Sequence, residues 1–404
     1  MFYSLYLYDI IKFCKGVDSV KVYLDNSATT KPYKEVVDEM VLALTDDFAN
    51  PSAAYRDGFE IEKKIKKIRN NIAKTIGVDD KNIIFTSGGT ESNNAIIRSV
   101  AHLNGKRRNH IITTAIEHPA VLNTVRDLEN EGFDITILNV DEKGLISIDE
   151  LKNSITDKTC LVSVMFVNNE IGCIEPIKEI GDILKDNKDI YFHVDAVQGY
   201  GKINFKIEDL HIDFMSVSSH KIHGPKGEGF MYIRDLNRFK PLLTGGGQEF
   251  SLRSGTENVP GIYGMGKAVE ILFEDIDGTI EKINSLKMYL YNKLSENISD
   301  IKINSDIDNG VCHILNMSFE GVKGEVLLHY LEDDGICVST GSACSSKKKG
   351  SHVLNAIGLT PSQIDGAVRF SLSEMNTEEE IDYAVEKIKS HIEMIRLLSR
   401  RKRR

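Results

Sequence analysis

Between about residue 60 and residue 235 the chain alternates short apolar runs with stretches of helical period, and this alternation narrows the fold more than any other feature. An apolar run without polar alternation must be covered on both faces, and a helix with one apolar stripe supplies such a cover. Repetition of the two predicts an α/β domain with a mainly parallel sheet and crossover helices. The strand runs are 83–86, 110–114, 134–140, 160–167, 190–194 and 214–217, with helical patterns at 61–76, 120–128 and 177–184. After Gly227-Glu228-Gly229 the run 230–233 is expected to return antiparallel. Long helical stretches at 259–273 and 280–298 lead into a segment of mixed type, with strands at 312–318 and 366–371 and helices at 325–333 and 378–398, read as a compact α+β unit.

An open α/β sheet gathers ligands at the carboxyl ends of its strands, so the residues just past each run carry the functional signal. Lys221 follows the run 214–217 within Ser218-Ser219-His220-Lys221-Ile222-His223-Gly224-Pro225, and Asp195 closes the run that begins at Ile190. Alone, the lysine reads as a solvated charge and the aspartate as a turn former. Together they are the Schiff-base amine and the pyridinium partner that a pyridoxal phosphate site requires. Ser87-Gly88-Gly89-Thr90 joins the run 83–86 to a helix start, whose exposed N–H groups and hydroxyls can cup a phosphate, although the same residues would also cap an ordinary helix. His118, past the run 110–114, can stack on a flat ring and exchange protons near neutral pH; Asn168, Asn169 and Gln198 offer amides suited to a phenolate oxygen. Five strand ends thus converge on one edge. A zinc site at His220 and His223 is disfavoured, since they stand three apart in a Gly-Pro turn with no third ligand at a suitable spacing.

Composition limits the alternatives. A chain of 404 residues with 41% apolar content can bury one large core and a smaller companion. A formal charge of −10 gives the body no nucleic-acid surface, and the basic end from Arg400 to Arg404 reads as a solvated tail. Cys14, Cys160, Cys173, Cys312, Cys337 and Cys344 form neither a disulfide framework nor a CxxC pair, which predicts a reducing, cytoplasmic setting. Asp9 interrupts the apolar start and no basic n-region accompanies it, so neither a signal peptide nor a membrane span is expected.

Residues from Lys21 to about Leu398 resemble, block by block, the NifS/IscS-like cysteine desulfurases of the class-V aminotransferase family. The blocks are Tyr23 to Thr30, Thr86 to Asn94, Glu117-His118, Val167 to Gly172, His193 to Gln198, Ser218 to Gly227, Arg253 to Thr256, Ser339 to Ser346 and Val368 to Leu372. The resemblance implies a fold-type I transferase dependent on pyridoxal 5′-phosphate, with a large domain built on a mainly parallel seven-stranded sheet and a smaller α+β C-terminal domain. It implies an extension at 1–20 outside the fold, a segment at 21–32 packing near the site, a large domain at 33–270, and a small domain at 271–398 carrying a cysteine loop at 339–350, followed by a tail at 399–404. Val20, just before the resemblance begins, suggests a translation start assigned too early. Carried over, Lys221 binds the cofactor aldehyde, Asp195 its ring nitrogen and His118 its face. Gln198 and Asn168 contact the cofactor, while Gly89, Thr90, Ser218 and His220 hold its phosphate. Thr256 reaches the phosphate of the other subunit of a homodimer, Arg369 holds the substrate carboxylate, and Asn26 lies near the substrate.

Cys344 selects the reaction. Small polar residues and Lys347-Lys348-Lys349 surround it, so a mobile, accessible thiol promoted to thiolate by positive charge is expected, whereas Cys337 suits a packed strand. The implied activity removes sulfur from L-cysteine, leaves alanine, and stores the sulfur as a persulfide on Cys344. The acceptor would be an iron-sulfur scaffold or a tRNA-thiolation enzyme. No resident metal is expected, a transient iron-sulfur contact at Cys344 excepted. A selenocysteine lyase, another class-V aminotransferase, and a non-catalytic sulfur-carrier scaffold stay open as alternatives.

Overall fold

The computed structural model describes residues 21–105, 107–340 and 350–402. Cys344, most of its loop and the extension at 1–20 lie outside the described residues.

After the two-residue strand β1 (Val22–Tyr23), the central sheet is built from β2 (Ile83–Thr86), β3 (His110–Thr114), β4 (Asp134–Leu138), β5 (Thr159–Met165), β6 (Tyr191–Asp195), β7 (Phe214–Ser218) and β8 (Gly229–Ile233). Their spatial order is β2-β8-β7-β6-β5-β3-β4. β8 is antiparallel to both of its neighbours, while every other pairing is parallel, so six carboxyl ends share one edge. This is the architecture expected from the alternating pattern. All seven residues of β5 are buried, whereas the edge strand β4 exposes Asp134 and Ile137. β4 stops at Leu138, short of the run ending at 140, because Val140 turns to bridge Ile146.

Helices close both faces. The helix Gly89–Asn104 buries Ala95, Ile96, Ile97 and Val100 against Ile84, Ile111, Leu161 and Met231 of the sheet. On the other face Ile65, Ile72 and Ile76 of the helix Arg56–Ile76 and Tyr263 of the helix Val259–Glu274 pack with Phe85, Tyr200 and Phe230. His193 of β6 lies inside the sheet between the hydroxyls of Ser163 on β5 (2.8 Å) and Ser216 on β7 (3.0 Å). Burial pushes its pKa down to about 3, so it serves as a neutral cross-strand link.

The C-terminal unit follows the helix Ile276–Asn297. It contains an antiparallel sheet ordered β12 (Ala367–Ser371), β10 (Ile314–Phe319), β9 (Ile301–Ile303), covered by the helices Gly324–Asp333 and Glu378–Lys402. β10 starts two residues later than its apolar pattern, since His313 turns its Nε2 toward Gln198 in the turn after β6. The last helix continues to Lys402, a correction to the basic end expected from 399 as an unstructured tail. β11 (Ile336–Cys337) pairs in parallel with β1, in keeping with the strand reading of Cys337.

The segment after β1 straps the two units together. Leu24 N–H reaches Cys337 O (2.9 Å), Asn26 N–H reaches Ser371 O (3.1 Å), and Thr30 N–H reaches His220 O (2.9 Å). It thereby ends directly over the Lys221 turn.

Candidate active site

At the shared carboxyl edge lies a cavity of about 730 Å³, walled by strand ends, by the strap and by the C-terminal unit. Its floor toward β2 is the start of the helix Gly89–Asn104. Gly88, at φ 131°, adopts a backbone that side chains disfavour, and a Cβ on Gly89 would stand 2.6 Å from Val197 Cγ2. The glycines therefore let first-turn N–H groups, which have no partner within the helix, face the cavity beside Ser218. Gly89→Ala is expected to destabilise the protein by about 1–3 kcal/mol through this overpacking, which thermal melts check.

Opposite that cup, Asp195 closes β6 with 5% of its surface exposed. Oδ1 accepts the N–H of Val197 (3.0 Å) and Oδ2 accepts Nδ2 of Asn93 (2.6 Å), which fixes the carboxyl orientation. His118 caps the helix Pro119–Asn130, its Nδ1 accepting the N–H of Ala120 at 3.1 Å. That bond leaves the ring proton on Nε2. Burial lowers the His118 pKa, against a smaller opposite pull from Asp195, so the ring is neutral near pH 7. Beside it, Glu117 is fully buried, accepting Thr114 Oγ1 and Met165 N–H, each at 2.8 Å. Burial raises its pKa well above the carboxylate range, making it a neutral tie between the ends of β3 and β5.

The Lys221 turn forms the next wall. Lys221 Nζ donates to Ser27 O (2.5 Å) and Ala28 O (2.7 Å) of the strap. Gln198 Nε2 also donates to Ser27 O (2.9 Å), while its Oε1 meets His313 Nε2 (3.1 Å). His220 Nδ1 lies 3.2 Å from Thr29 Oγ1, and burial, reinforced by Lys221 and Lys226, pushes its pKa down to about 4. From β12 of the other unit, Arg369 pairs with Asp25 (2.7 Å) and donates to Asn169 O (2.8 Å). The residue lines the cavity, while its Nε is buried without a hydrogen-bond partner. An N–H cup, a carboxylate, an amine, an imidazole and a guanidinium around one cavity suit a phosphorylated aromatic aldehyde together with an amino-acid carboxylate.

The class-V aminotransferase family model matches residues 22–384. A cysteine desulfurase IscS of Clostridium botulinum (strain Hall) is 45% identical over 382 residues, covering 94% of this chain and 96% of that protein. The chain belongs to the cysteine desulfurases of the class-V aminotransferase family. Among solved structures, a NifS-like protein superposes with a TM-score of 0.88 at 40% identity over 93% of this chain and all of that one. Another, titled SspA in complex with cysteine, matches with a TM-score of 0.78 at 36% identity over 88% of this chain and 100% of its own.

Within this desulfurase, Gly89, Thr90, His118, Asp195, Gln198, Ser218, His220, Lys221 and Arg369 all line the cavity. Three other residues with assigned roles stand elsewhere. Asn168 is fully buried beneath the wall; its Nδ2 donates to Ile116 O and its Oδ1 accepts the N–H groups of Glu170 and Ile171, so it shapes the turn while Asn169 lines the cavity. Asn26 donates to Tyr23 O and Ser371 O and anchors the strap. Thr256 is exposed and outside the cavity of its own chain. Thr340, four residues before Cys344, lines the cavity, and its neighbour Ser339 exchanges backbone hydrogen bonds with Arg369.

The sequence blocks contain Asn93, Asp25 and Glu117 but assign them no role. Asn93 carried a usable signal, being one helical turn past Gly89 on a face otherwise apolar. The Arg369 partner on the strap carried none, because the two lie 344 positions apart.

Proposed function

We propose that this desulfurase binds pyridoxal 5′-phosphate in the cavity, takes L-cysteine as substrate, and passes its sulfur to Cys344 as a persulfide. The observation that carries the reading is the opening of Lys221, Asp195 and Arg369, from two strand ends and a second unit, onto one cavity. Lys221 would bond the cofactor aldehyde, Asp195 would accept its ring N–H, and His118 would cover its face. The Gly89–Thr90 helix start, Ser218 and His220 would receive the phosphate, and Gln198 would hold the strap edge beside the ring. When bound, the cofactor supplies an electron-accepting ring that weakens the Cα–H bond of the attached amino acid.

The chain's own residues do the rest. Arg369 orients the cysteine carboxylate by a charge-assisted contact, and Lys221 Nζ removes and returns protons at Cα and its neighbour. Neutral His118 presents Nε2–H as a donor; serving as a base at that nitrogen requires moving the proton off Nε2, which releases the Ala120 cap only if it goes to Nδ1. Cys344 thiolate attacks the substrate sulfur: an S–S bond forms, the substrate C–S bond breaks with its electron pair left on carbon, and protonation yields alanine. A homodimer in which exposed Thr256 completes the partner site belongs to the same reading, as does a cytoplasmic location, favoured by four described cysteines without a disulfide. The three lysines after Cys344 suit an acceptor, iron-sulfur scaffold or tRNA-thiolating enzyme, with an acidic docking face.

Loaded protein given L-cysteine and dithiothreitol is expected to release alanine and sulfide in equal amounts and to need no keto-acid acceptor. Amino-group transfer to a keto acid with no sulfide would overturn the reading, and a strong preference for selenocysteine would move it to a lyase. Arg369→Lys, which replaces a planar fork of donors with one ammonium, should raise the KM for cysteine by about 10- to 100-fold in the same assay.

A further inference from the structure

Two residues past Lys221 the chain makes an unusual turn. His223 adopts φ 63°, a left-handed backbone that a side chain disfavours, and its own side chain is fully buried. The strap grips it on two sides: His223 N–H donates to Thr30 Oγ1 (2.7 Å), and Nδ1 lies 2.7 Å from Lys31 O. A carbonyl only accepts, so Nδ1 carries a proton. The ring stacks on Tyr33, with centroids 4.5 Å apart at 21°.

The other ring nitrogen faces the C-terminal unit, 3.3 Å from Glu374 Oε1, within ion-pair range although its direction falls short of a hydrogen bond. Tyr33 hydroxyl donates to the same carboxylate oxygen. Burial opposes ionisation of Glu374, yet His223, Lys202 and Tyr33 together hold its pKa down to about 2. One buried carboxylate oxygen sits against both stacked rings, Nε2 of His223 and the hydroxyl of Tyr33. Three parts of the molecule thus meet at one imidazole: the Lys221 turn, the strap and the C-terminal unit.

We propose that Glu374 is a positioning residue for the reaction: set against His223 Nε2 and the Tyr33 hydroxyl, it holds the left-handed turn after Lys221 and so fixes where the lysine amine stands. The proposal rests on the assignment of Lys221 given above. Its first readout does not depend on that assignment. In the full-length protein labelled with ¹⁵N-histidine, Glu374→Gln should shift the His223 ring-nitrogen resonances, in the presence or absence of the cofactor, and Glu374→Asp, which retains the charge, should leave them near their wild-type positions. In the loaded enzyme Glu374→Gln should lower kcat about tenfold with the KM for cysteine changed less than twofold, as expected for a displaced catalytic amine. Tyr33→Phe, which removes one hydroxyl, should lower kcat in the same direction by less.

His223 ring-nitrogen resonances that do not move in Glu374→Gln, or a Glu374→Gln enzyme whose kcat stays within twofold while only its melting temperature falls, overturns the proposal. If borohydride reduction fails to attach the cofactor to Lys221, the assignment of that lysine has failed, and the ¹⁵N result then reports on the His223–Glu374 pair alone.

Discussion

Cys344→Ala is expected to abolish sulfide release from L-cysteine, with turnover falling on the order of 1,000-fold or more, while leaving cofactor binding intact. The asymmetry follows from what each part of the site does. The cup at Gly89, the Asp195 carboxylate and the Lys221 amine are all built from the central sheet and its turns. Asp195 is held by Asn93 and Val197, and Lys221 by the strap carbonyls, so the visible spectrum of the loaded variant should match that of the wild type. Proton exchange at Cα should survive for the same reason, since Lys221 and Arg369 are untouched. Deuterium from solvent should therefore enter recovered cysteine although no alanine accumulates. Sulfide release near the wild-type rate would mean that sulfur leaves without this thiol, and the assignment would fall. Loss of both exchange and spectrum would instead point to a structural role. Cys337 supplies the control: it lies in β11, half-buried beside β1, and Cys337→Ala should retain turnover.

The fold was legible because both of its signals are local. Apolar runs of strand length and helical stripes each report the burial of their own few residues, and β5, β6 and β7 fall where those runs fall. The antiparallel return of β8 was legible from the short glycine turn that precedes it, too short for a crossover. Strand ends exposed the Lys221, Asp195 and His118 positions, since the polar residue after an apolar run sits at the ligand-binding edge in this architecture. What stayed hidden depends on distance along the chain. The carbonyls of Ser27 and Ala28 that receive Lys221 lie nearly 200 positions away, and Glu374 meets His223 from a separate unit. Asn168 and Asn26 show a second limit. A short polar residue at a strand end can face the cavity or satisfy the buried backbone of its own turn, and only the traced hydrogen bonds distinguish the two.

Lys221→Ala should remove both the covalent hold on the cofactor and the proton transfer at Cα, and turnover should fall by at least about 10²–10⁴-fold. In the wild type, borohydride should fix the cofactor to the peptide containing Lys221; in the variant the same treatment should leave it dialysable. The protein itself should stay folded, because the lysine is only partly buried and stands outside the apolar core. Its loss leaves Ser27 O still bonded by Gln198, so the strap keeps one of its ties at that point. Lys221→Arg separates charge from chemistry. A guanidinium can donate to the Ser27 and Ala28 carbonyls but is a far weaker nucleophile and base, so it should retain strap geometry and show the same loss of rate. Added methylamine offers a further test, since a small primary amine that diffuses into the space left by Lys221→Ala can return part of the proton transfer without restoring the covalent hold. A variant that still binds the cofactor through a borohydride-reducible bond would remove Lys221 from the mechanism and leave the cavity without its amine.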